Sequence, residues 1–218
     1  MQNDVISREK WLEARADLLK QEKEHTRARQ SLAETRRRLP WVRISKEYEF
    51  SGSEGESTLS DLFLDRSQLV VYHLMFGPGW DAPCVGCTQW ANALNCTTAS
   101  FKNADARLIA VSRAPYPEIA AQRERLDWKF SWFSSFESDF NFDYYASSTD
   151  VSGTSSILIG GEDGEKVEFD RGENHGVSVF YKNADAEIFH TYSAYNRGIE
   201  ELNGAFGYFD LLPKGRAW

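Results

Sequence analysis

Two runs of apolar residues, at 69–76 and 107–112, contrast with the mixed pattern of the rest of the chain. Neither run alternates apolar and polar positions, so each predicts a strand that is buried on both faces. The segment between them contains a helix-like stretch at 88–95, and a crossover of this length joins parallel strands. The middle of the chain therefore predicts a βαβ unit.

The first forty residues predict a long helix, from about Ser7 to Leu39. Glu, Lys, Arg, Ala, Gln and Leu dominate the segment, and neither glycine nor proline interrupts it. Its middle is nearly all polar, which leaves two interpretations open. Either the helix breaks near His25-Thr26, or its middle lies in solvent.

The remaining pattern completes an α/β fold with a central mixed sheet flanked by helices. Alternation predicts a strand at 41–50. After the βαβ unit we expect a helix at 116–127, a short strand at 130–133, an aromatic-rich surface insertion at about 136–172, a hairpin of strands at 177–181 and 187–192, and a final helix at about 197–209. From residue 69 onward the order is β–α–β–α–β–β–α, which matches a thioredoxin-like core.

A pair of cysteines, Cys84 and Cys87, follows the first buried run, after a loop that carries Trp80. A strand, an aromatic-bearing loop, C-x-x-C and a helix occur in this order in thioredoxin-like redox sites. The spacing lets the sulfurs close a disulfide at a helix start, where backbone N–H groups lower the pKa of the first thiol. We therefore interpret Cys84 as the nucleophile and Cys87 as the resolving thiol.

Other interpretations of the cysteines remain open. Cys84 and Cys87 could be two small hydrophobic core residues, or they could belong to a metal or redox sensor. A zinc site is not favoured, since the remaining Cys96 and the four histidines show no paired spacing. Cys96 falls on the opposite helix face from Cys87, and we expect it to be a packing residue.

The expected topology brings further residues to the dithiol, because sites in open α/β sheets lie beyond the C-terminal ends of the strands. Arg113 follows the second buried strand. The loop before the hairpin contributes His175 and Gly176, and Tyr192 ends the last strand. With Trp80, these residues form the predicted supporting site.

Composition and charge limit the setting of this chemistry. The chain has 218 residues, of which 41% are hydrophobic, and no apolar run is long enough to span a membrane. A polar N-terminus and an odd number of cysteines favour a reducing cytoplasm. The net charge of −8 divides into +3 for residues 1–40 and −11 for the remainder. The basic segment could therefore dock on the acidic body or on a second subunit.

Several segments together resemble one bacterial family, the thioredoxin-like domain-of-unknown-function family 899. They are RRRLPW (36–41), LVVYHLMFGP (69–78), CVGC (84–87), LIAVSRAP (108–115), SDFN (138–141), GVSVFY (176–181), FHTYS (189–193) and DLLPKGR (210–216). The resemblance runs along nearly the whole chain. It implies a thioredoxin-like fold and a dithiol–disulfide oxidoreductase.

The sequence departs from two better-known redox patterns. Thioredoxins place a tryptophan directly before the first cysteine and a cis-proline beside the dithiol, whereas here three residues follow Trp80 and His175-Gly176 stand at the second place. The peroxiredoxin pattern Pro-x-x-x-Thr-x-x-Cys also fails. Counted from Pro78, Ala82 stands where the pattern has threonine, and Val85 stands where it has cysteine. These departures argue against general protein-disulfide reduction and against a peroxidase of that class.

The sequence thus predicts an N-terminal helical extension at 1–40 and a thioredoxin-like domain at 41–218. The predicted function is cytoplasmic thiol–disulfide oxidoreduction by Cys84 and Cys87, on a disulfide-containing protein or a small-molecule thiol substrate. A binding or assembly protein with an inert dithiol is the alternative. We predict no cofactor, no metal, no nucleic acid and no membrane partner, and a homodimer formed through the N-terminal helices.

Overall fold

A computed structural model describes residues 3–216, apart from the side chain of Lys102. The chain divides into two compact units, residues 1–40 and 41–218. The first unit contains α1 (Arg8–Arg36), which runs without a break through His25-Thr26 and has no buried residue. Ser7 caps it, accepting a hydrogen bond from the Lys10 N–H at 3.4 Å. The helix is therefore continuous, and it ends three residues earlier than the sequence predicts.

Within residues 41–216, the second unit has ten strands and four further helices. In chain order they are β1 (Val42–Arg43), β2 (Glu49–Gly52), β3 (Gly55–Thr58), β4 (Gln68–His73), α2 (Val85–Thr97), β5 (Arg107–Ser112), α3 (Tyr116–Arg125), β6 (Trp132–Ser134), α4 (Phe140–Asp143), β7 (Thr154–Ile159), β8 (Glu165–Asp170), β9 (Gly176–Lys182), β10 (Ile188–Tyr195) and α5 (Gly204–Phe209). Short 3-10 helices occupy Asp61–Phe63, Thr98–Asn103 and Asn196–Leu202.

Eight strands form one mixed sheet in the order β1-β10-β9-β4-β5-β6-β2-β3. The central strands β4, β5 and β6 are parallel, whereas β9 pairs antiparallel with β4 and β10 antiparallel with β9. β7 and β8 form a separate hairpin. A βαβαβ run closed by an antiparallel hairpin gives a thioredoxin-like α/β fold, so the predicted fold class is confirmed.

The core has one apolar layer on each face of the sheet, because successive side chains of β4 point to opposite faces. On one face, Tyr72 packs with Cys87 and Ala91 of α2 and Ile119 of α3. On the other face lie Leu69 and Val71, with residues of the β2 region and α4. The dithiol helix and α3 therefore cover the same face.

Two predicted elements are divided in the structure. The single strand predicted at 41–50 is wrong, because this segment forms two strands. The first, β1, pairs with β10 at Val42 and Arg43, and the chain then crosses the sheet so that the second, β2, pairs with β6. The final helix is interrupted at Asn203, whose extended backbone and side chain cap α5.

The aromatic residues of the predicted surface insertion are partly core residues instead. Phe140 is fully buried and Tyr144 is 6% exposed, and both pack on the sheet with Phe180. The segment is apolar because α4 covers the second face of the sheet. No helix in the described part of the chain is both long enough and apolar enough to cross a membrane.

Candidate functional site

The two cysteines lie at the first turn of α2, directly after the loop that leaves β4. Cys84 is the N-cap residue and is half-buried, whereas Cys87 lies one turn further and is 2% exposed. The Cys84 N–H donates to the Met75 carbonyl at 3.0 Å, and the Thr88 N–H donates to the Cys84 carbonyl at 2.9 Å. These backbone bonds fix the nucleophile candidate against the end of β4.

The pKa values of the two thiols move in opposite directions. The pKa of Cys84 is lowered to about 6, first because the Cys87 side chain hydrogen-bonds to it, and also because the backbone N–H groups of Cys87 and Gly86 face its sulfur. Burial opposes this shift. The pKa of Cys87 is raised well above its usual value, first by the same hydrogen bond to Cys84 and then by burial. Near neutral pH the pair therefore holds one thiolate, on Cys84, and one thiol, on Cys87.

A wholly buried tyrosine lies beside the resolving thiol. Burial raises the pKa of Tyr72, and the neighbouring Cys87 and Cys84 raise it further. Its hydroxyl makes no hydrogen bond of regular geometry within the described residues. The Tyr72 hydroxyl and the Met75 N–H both act to lower the pKa of Cys87. These two groups are therefore placed to stabilise a Cys87 thiolate.

The register of the sheet places three predicted site segments at one edge. His73, the last residue of β4, pairs with Val111 of β5 and with Gly176 of β9. Arg113, which follows β5, and His175, which precedes β9, therefore lie at the same edge as the C-terminal end of β4. This confirms the predicted topology of the edge.

Tyr192 does not end the last strand. It pairs with Val179 inside the sheet and packs against the core on the dithiol face, three residues before the strand ends at Tyr195. Tyr195 instead pairs with Gly176, and a Cβ atom at Gly176 would lie 2.5 Å from its ring. The sequence missed this because the strand continues through a register shift between His190 and Tyr192.

Trp80, in the loop that leads to the dithiol, packs against Arg171 at the end of β8. The guanidinium of Arg171 lies 3.8 Å from the centroid of its ring. A Cβ atom at Gly77 would lie 3.0 Å from Trp80 Nε1 and 3.1 Å from Glu173 Oε1, so the loop is in close contact with both side chains. Trp80 thus packs the loop and also contacts the hairpin end.

Arg113 is engaged by a carboxylate that the sequence analysis did not identify. Its Nε and Nη2 lie 2.8 Å and 2.7 Å from Glu173 Oε1, while Ser147 donates to Glu173 Oε2 at 2.8 Å. Glu173 is 1% exposed, and burial raises its pKa although Arg113 opposes the shift. The Arg113 guanidinium therefore contacts the Glu173 carboxylate, and it also lies 4.9 Å from the ring centroid of Phe142.

His175 is half-buried beside the dithiol helix. Its ring centroid lies 6.4 Å from that of Trp90, and burial lowers its pKa. Its backbone N–H donates to Asn174 Oδ1 at 2.8 Å, and its carbonyl accepts from the Asn196 N–H at 3.3 Å. It lies at the site edge as expected.

Cys96 is exposed, so its interpretation as a packing residue is wrong. The helix-face argument still places it opposite Cys87, on the solvent side of α2. Within residues 3–216, no three histidine, cysteine or acidic side chains converge as metal ligands would. All three cysteines are free thiols in the structure.

Solved structures with a similar fold include redox proteins. A mutant of peroxiredoxin Q from Xanthomonas campestris is 17% identical, with a TM-score of 0.45 over 73% of this chain and 88% of that one. Peroxidoxin BcpB from Mycobacterium tuberculosis is 16% identical, with a TM-score of 0.44 over 69% and 82%. A putative thiol:disulfide interchange protein DsbE from Chlorobium tepidum is 13% identical, with a TM-score of 0.44 over 75% and 93%.

No curated protein matches the chain. A family match, by contrast, covers every residue from 1 to 218. Its description is "Bacterial protein of unknown function (DUF899)". The chain belongs to this bacterial family.

Proposed function

We propose that the protein is a thiol–disulfide oxidoreductase in which Cys84 is the nucleophile and Cys87 the resolving thiol. The observation that carries the proposal is the opposite displacement of the two thiol pKa values at the start of α2. A thiolate attacks disulfides, and a thiol whose pKa lies near the ambient pH combines a high thiolate fraction with good nucleophilicity. Cys84, with a pKa of about 6, fits this requirement.

The first step forms a mixed disulfide. The Cys84 thiolate attacks one sulfur of a substrate disulfide, the substrate S–S bond breaks, and the second substrate sulfur leaves as a thiolate that takes a proton from water. Cys84 is half-buried at the helix start, so part of this residue faces solvent. Backbone N–H groups of the first turn hold the charge on Cys84 before the attack.

The second step uses Cys87. Once Cys84 is bonded to substrate, its thiolate no longer accepts the hydrogen bond that most raises the pKa of Cys87. That pKa then falls, with the Tyr72 hydroxyl and the Met75 N–H stabilising the anion. The Cys87 thiol loses its proton and its sulfur attacks Cys84 Sγ, which breaks the mixed disulfide and forms the Cys84–Cys87 bond. The substrate sulfur that was bonded to Cys84 leaves as a thiolate and takes up the proton, so the second substrate thiol is released. Two electrons pass from the dithiol to the substrate, and an external thiol must reduce the resulting disulfide.

Disulfide exchange in glutathione buffers tests this function. The wild type should convert between a dithiol and a Cys84–Cys87 disulfide as the ratio of reduced to oxidised glutathione changes. Cys84→Ser should abolish this conversion, and Cys96→Ser is the matched control that should preserve it. A wild-type protein that keeps both thiols at every ratio would favour the alternative, a binding or assembly protein on the same scaffold.

The substrate and setting are also part of the proposal. A disulfide-containing protein or a small disulfide fits a half-buried nucleophile with no further group required for the chemistry. A cytoplasmic location is supported by an odd number of cysteines, all of them free thiols. A metal or redox sensor using the same pair is the remaining candidate, and metal analysis of anaerobically purified protein distinguishes it.

A further inference from the structure

A cleft opens at the edge of the sheet opposite the dithiol. Its walls come from the loop before β4, the end of α2 with the 3-10 helix after it, the start of β5 and the loop before β6. Because β4, β5 and β6 are parallel, these segments lie at the strand ends opposite those that lead to Arg113 and the cysteines. The cleft has a volume of about 480 Å³, within the range of about 300–1,000 Å³ in which proteins bind small molecules.

Much of the cleft wall is apolar. Leu64, Phe101, Leu108 and Phe130 all line it. Leu64 is 63% exposed, and Phe101 and Leu108 are half-buried, so the wall keeps apolar surface in contact with solvent. Small-molecule sites are lined mainly by such side chains, with a few polar groups that fix the orientation of the ligand. The cleft is therefore suited to the apolar body of a small molecule.

The backbone of Leu64 is strained. Its φ of 53° and ψ of −124° form a conformation that favours glycine, because a Cβ atom is crowded there. Its N–H donates to the Asp61 carbonyl at 3.0 Å, a bond that glycine would make equally well. With so much of Leu64 exposed, packing within the chain offsets little of the strain. A ligand in the cleft would cover the exposed side chain.

Arg107 gives the cleft a positive charge. It is half-buried, its Nη1 donates to the Leu62 carbonyl at 2.7 Å, and its Nη2 donates to Oγ of Ser131, which also lines the cleft, at 3.1 Å. Among residues 3–216, no carboxylate lies within ion-pair distance of its nitrogens, and Glu54 acts on its charge only at longer range. A guanidinium has five N–H donors, so donors remain for a ligand.

The other cations of the cleft wall have carboxylate partners. Arg66 Nε lies 3.2 Å from Asp65 Oδ1, and Lys129 is paired with Asp127. Among the described residues of the wall, Arg107 is the cation left without one. Burial lowers the pKa of Arg107, which is the effect of a charge held away from water without full compensation. One negative charge in the cleft would compensate it.

We propose that this cleft binds a small amphipathic carboxylate, with its carboxylate on Arg107 and its apolar body against Leu64, Phe101 and Leu108. A guanidinium binds a planar carboxylate through two parallel hydrogen bonds. The single unpaired cation matches a single negative charge. The site is separate from the dithiol, so the inference does not depend on the proposed redox function.

Calorimetric titration of the full-length protein with octanoate tests the site, and amide shifts in ¹H–¹⁵N spectra locate it. Octanol has the same alkyl chain without the charge, and acetate has the charge without the chain. Octanoate should bind saturably, and octanol and acetate should each bind about tenfold more weakly or worse, since each loses one of the two contacts. The amide shifts should concentrate at residues 64–66, 98–101, 106–108 and 129–131.

Leu64→Gly is the decisive variant. It removes part of the apolar wall, so octanoate should bind about threefold more weakly or worse. It also removes the backbone strain, so the midpoint of urea unfolding should not fall. Weaker binding without a loss of stability places the effect at the site and not in the fold.

Arg107→Gln tests the charge. The ratio of octanoate to octanol affinity should fall from about tenfold towards one, because only octanoate uses the guanidinium. Arg107→Lys, which keeps the charge but not the paired donors, should have an intermediate ratio. Arg125→Gln is the matched control, since Arg125 is exposed on α3 outside the cleft and its loss should leave the ratio unchanged.

The outcomes decide the proposal independently of the dithiol chemistry. No saturable binding of octanoate at millimolar concentration would overturn it, as would amide shifts that lie outside the cleft. An unchanged affinity ratio in folded Arg107→Gln would show that the guanidinium does not hold the carboxylate and would overturn the ligand class. If Arg107→Gln does not fold, Leu64→Gly decides alone, and wild-type octanoate affinity in that variant overturns the site.

Discussion

Arg113 and Glu173 form an ion pair at the dithiol edge of the sheet, with two arginine nitrogens within 2.8 Å of one carboxylate oxygen. Glu173 is 1% exposed, and Arg113 also lies against the ring of Phe142, 4.9 Å from its centroid. Burying a carboxylate is costly unless a partner compensates it. The pair therefore joins the strand end after β5 to the loop before β9.

Removing one partner of this pair should destabilise the protein strongly. Arg113→Met leaves the Glu173 carboxylate buried without its cation, which should reduce the free energy of unfolding by about 3–5 kcal/mol. Adding Glu173→Gln should recover part of that loss, and a double-mutant cycle measured by urea unfolding gives the coupling. Lys166→Met, in an exposed pair, is the control and should cost less than about 1 kcal/mol. An equally small effect of Arg113→Met would contradict this account.

The Tyr72 hydroxyl should act on the second step of the exchange. Tyr72→Phe removes a group that stabilises the Cys87 thiolate but leaves the backbone N–H groups at Cys84 in place. We expect slower release of the second substrate thiol, with the rate of mixed-disulfide formation almost unchanged. Rapid-quench mass analysis should then find more mixed disulfide on Cys84 than in the wild type. If the variant slows mixed-disulfide formation instead, the assigned role of Tyr72 is wrong.

The stability of the protein should fall as the pH decreases below about 6.5. His73 is fully buried, its Nε2 lies 2.9 Å from Ser178 Oγ, and burial lowers its pKa from 6.5 to about 3. The unfolded chain therefore binds this proton first, and the stabilising effect of a neutral His73 is lost progressively from about pH 6.5 towards pH 3. The slope should approach about 1.4 kcal/mol per pH unit for this group.

Burial also lowers the pKa values of His175 and His190, which act in the same direction. Urea unfolding between pH 6.5 and 5 measures the slope before most carboxylates titrate. His73→Gln should reduce the slope, whereas His25→Gln, at an exposed position of α1, should not. A wild-type stability that stays flat across this range would show that His73 is not held neutral in the folded protein.

We propose that α1 mediates formation of a homodimer. Pairs of apolar side chains recur along α1. The second pair follows the first by seven residues, and the third follows the second by fourteen; the pairs are Trp11-Leu12, Leu18-Leu19 and Leu32-Ala33. Trp11, Leu12, Leu18, Leu19 and Leu32 are all exposed in the single chain. A seven-residue apolar repeat is typical of helices that pair along their length, and a second copy of the chain supplies a matching stripe.

Light scattering on the full-length protein tests the dimer. The wild type should have twice the mass of the chain at micromolar concentration, and a chain beginning at Pro40 should be monomeric. Trp11→Gln combined with Leu18→Gln should also give a monomer, while Glu13→Gln, outside the stripe, should remain dimeric. A monomeric wild type would rule out a stable dimer.

The sequence was sufficient for the parts of the fold that depend on local pattern. The two apolar runs predicted β4 and β5 because both strands are buried on both faces, and C-x-x-C predicted the start of α2. Parallel pairing of β5 with β4 then placed Arg113, and antiparallel pairing of β9 with β4 placed His175, at the same sheet edge as the dithiol. These inferences needed only strand direction and connection length.

Features that depend on distant pairing were not predicted. Nothing near Glu173 in the sequence shows that its carboxylate is buried against Arg113, sixty residues earlier. The same holds for Tyr72, which is indistinguishable from other apolar strand residues until α2 packs Cys87 against it. The available signal was that Glu173 is an acidic residue two positions before the predicted His175-Gly176 segment. Likewise, the alternation at 41–50 could not reveal that the chain crosses between two edges of the sheet.

The pH dependence of alkylation is the most direct test of the central claim, that Cys84 is the thiolate of a working dithiol. Limiting iodoacetamide followed by peptide mapping should label Cys84 first, with a rate that rises through a pKa of about 6 and is level above pH 7. Cys87→Ala should raise that pKa towards the ordinary thiol value, because it removes the largest cause of the shift, while Cys96→Ser should leave it unchanged. Preferential labelling of Cys87 or Cys96, or a Cys84 rate that rises only above pH 8, would contradict the account.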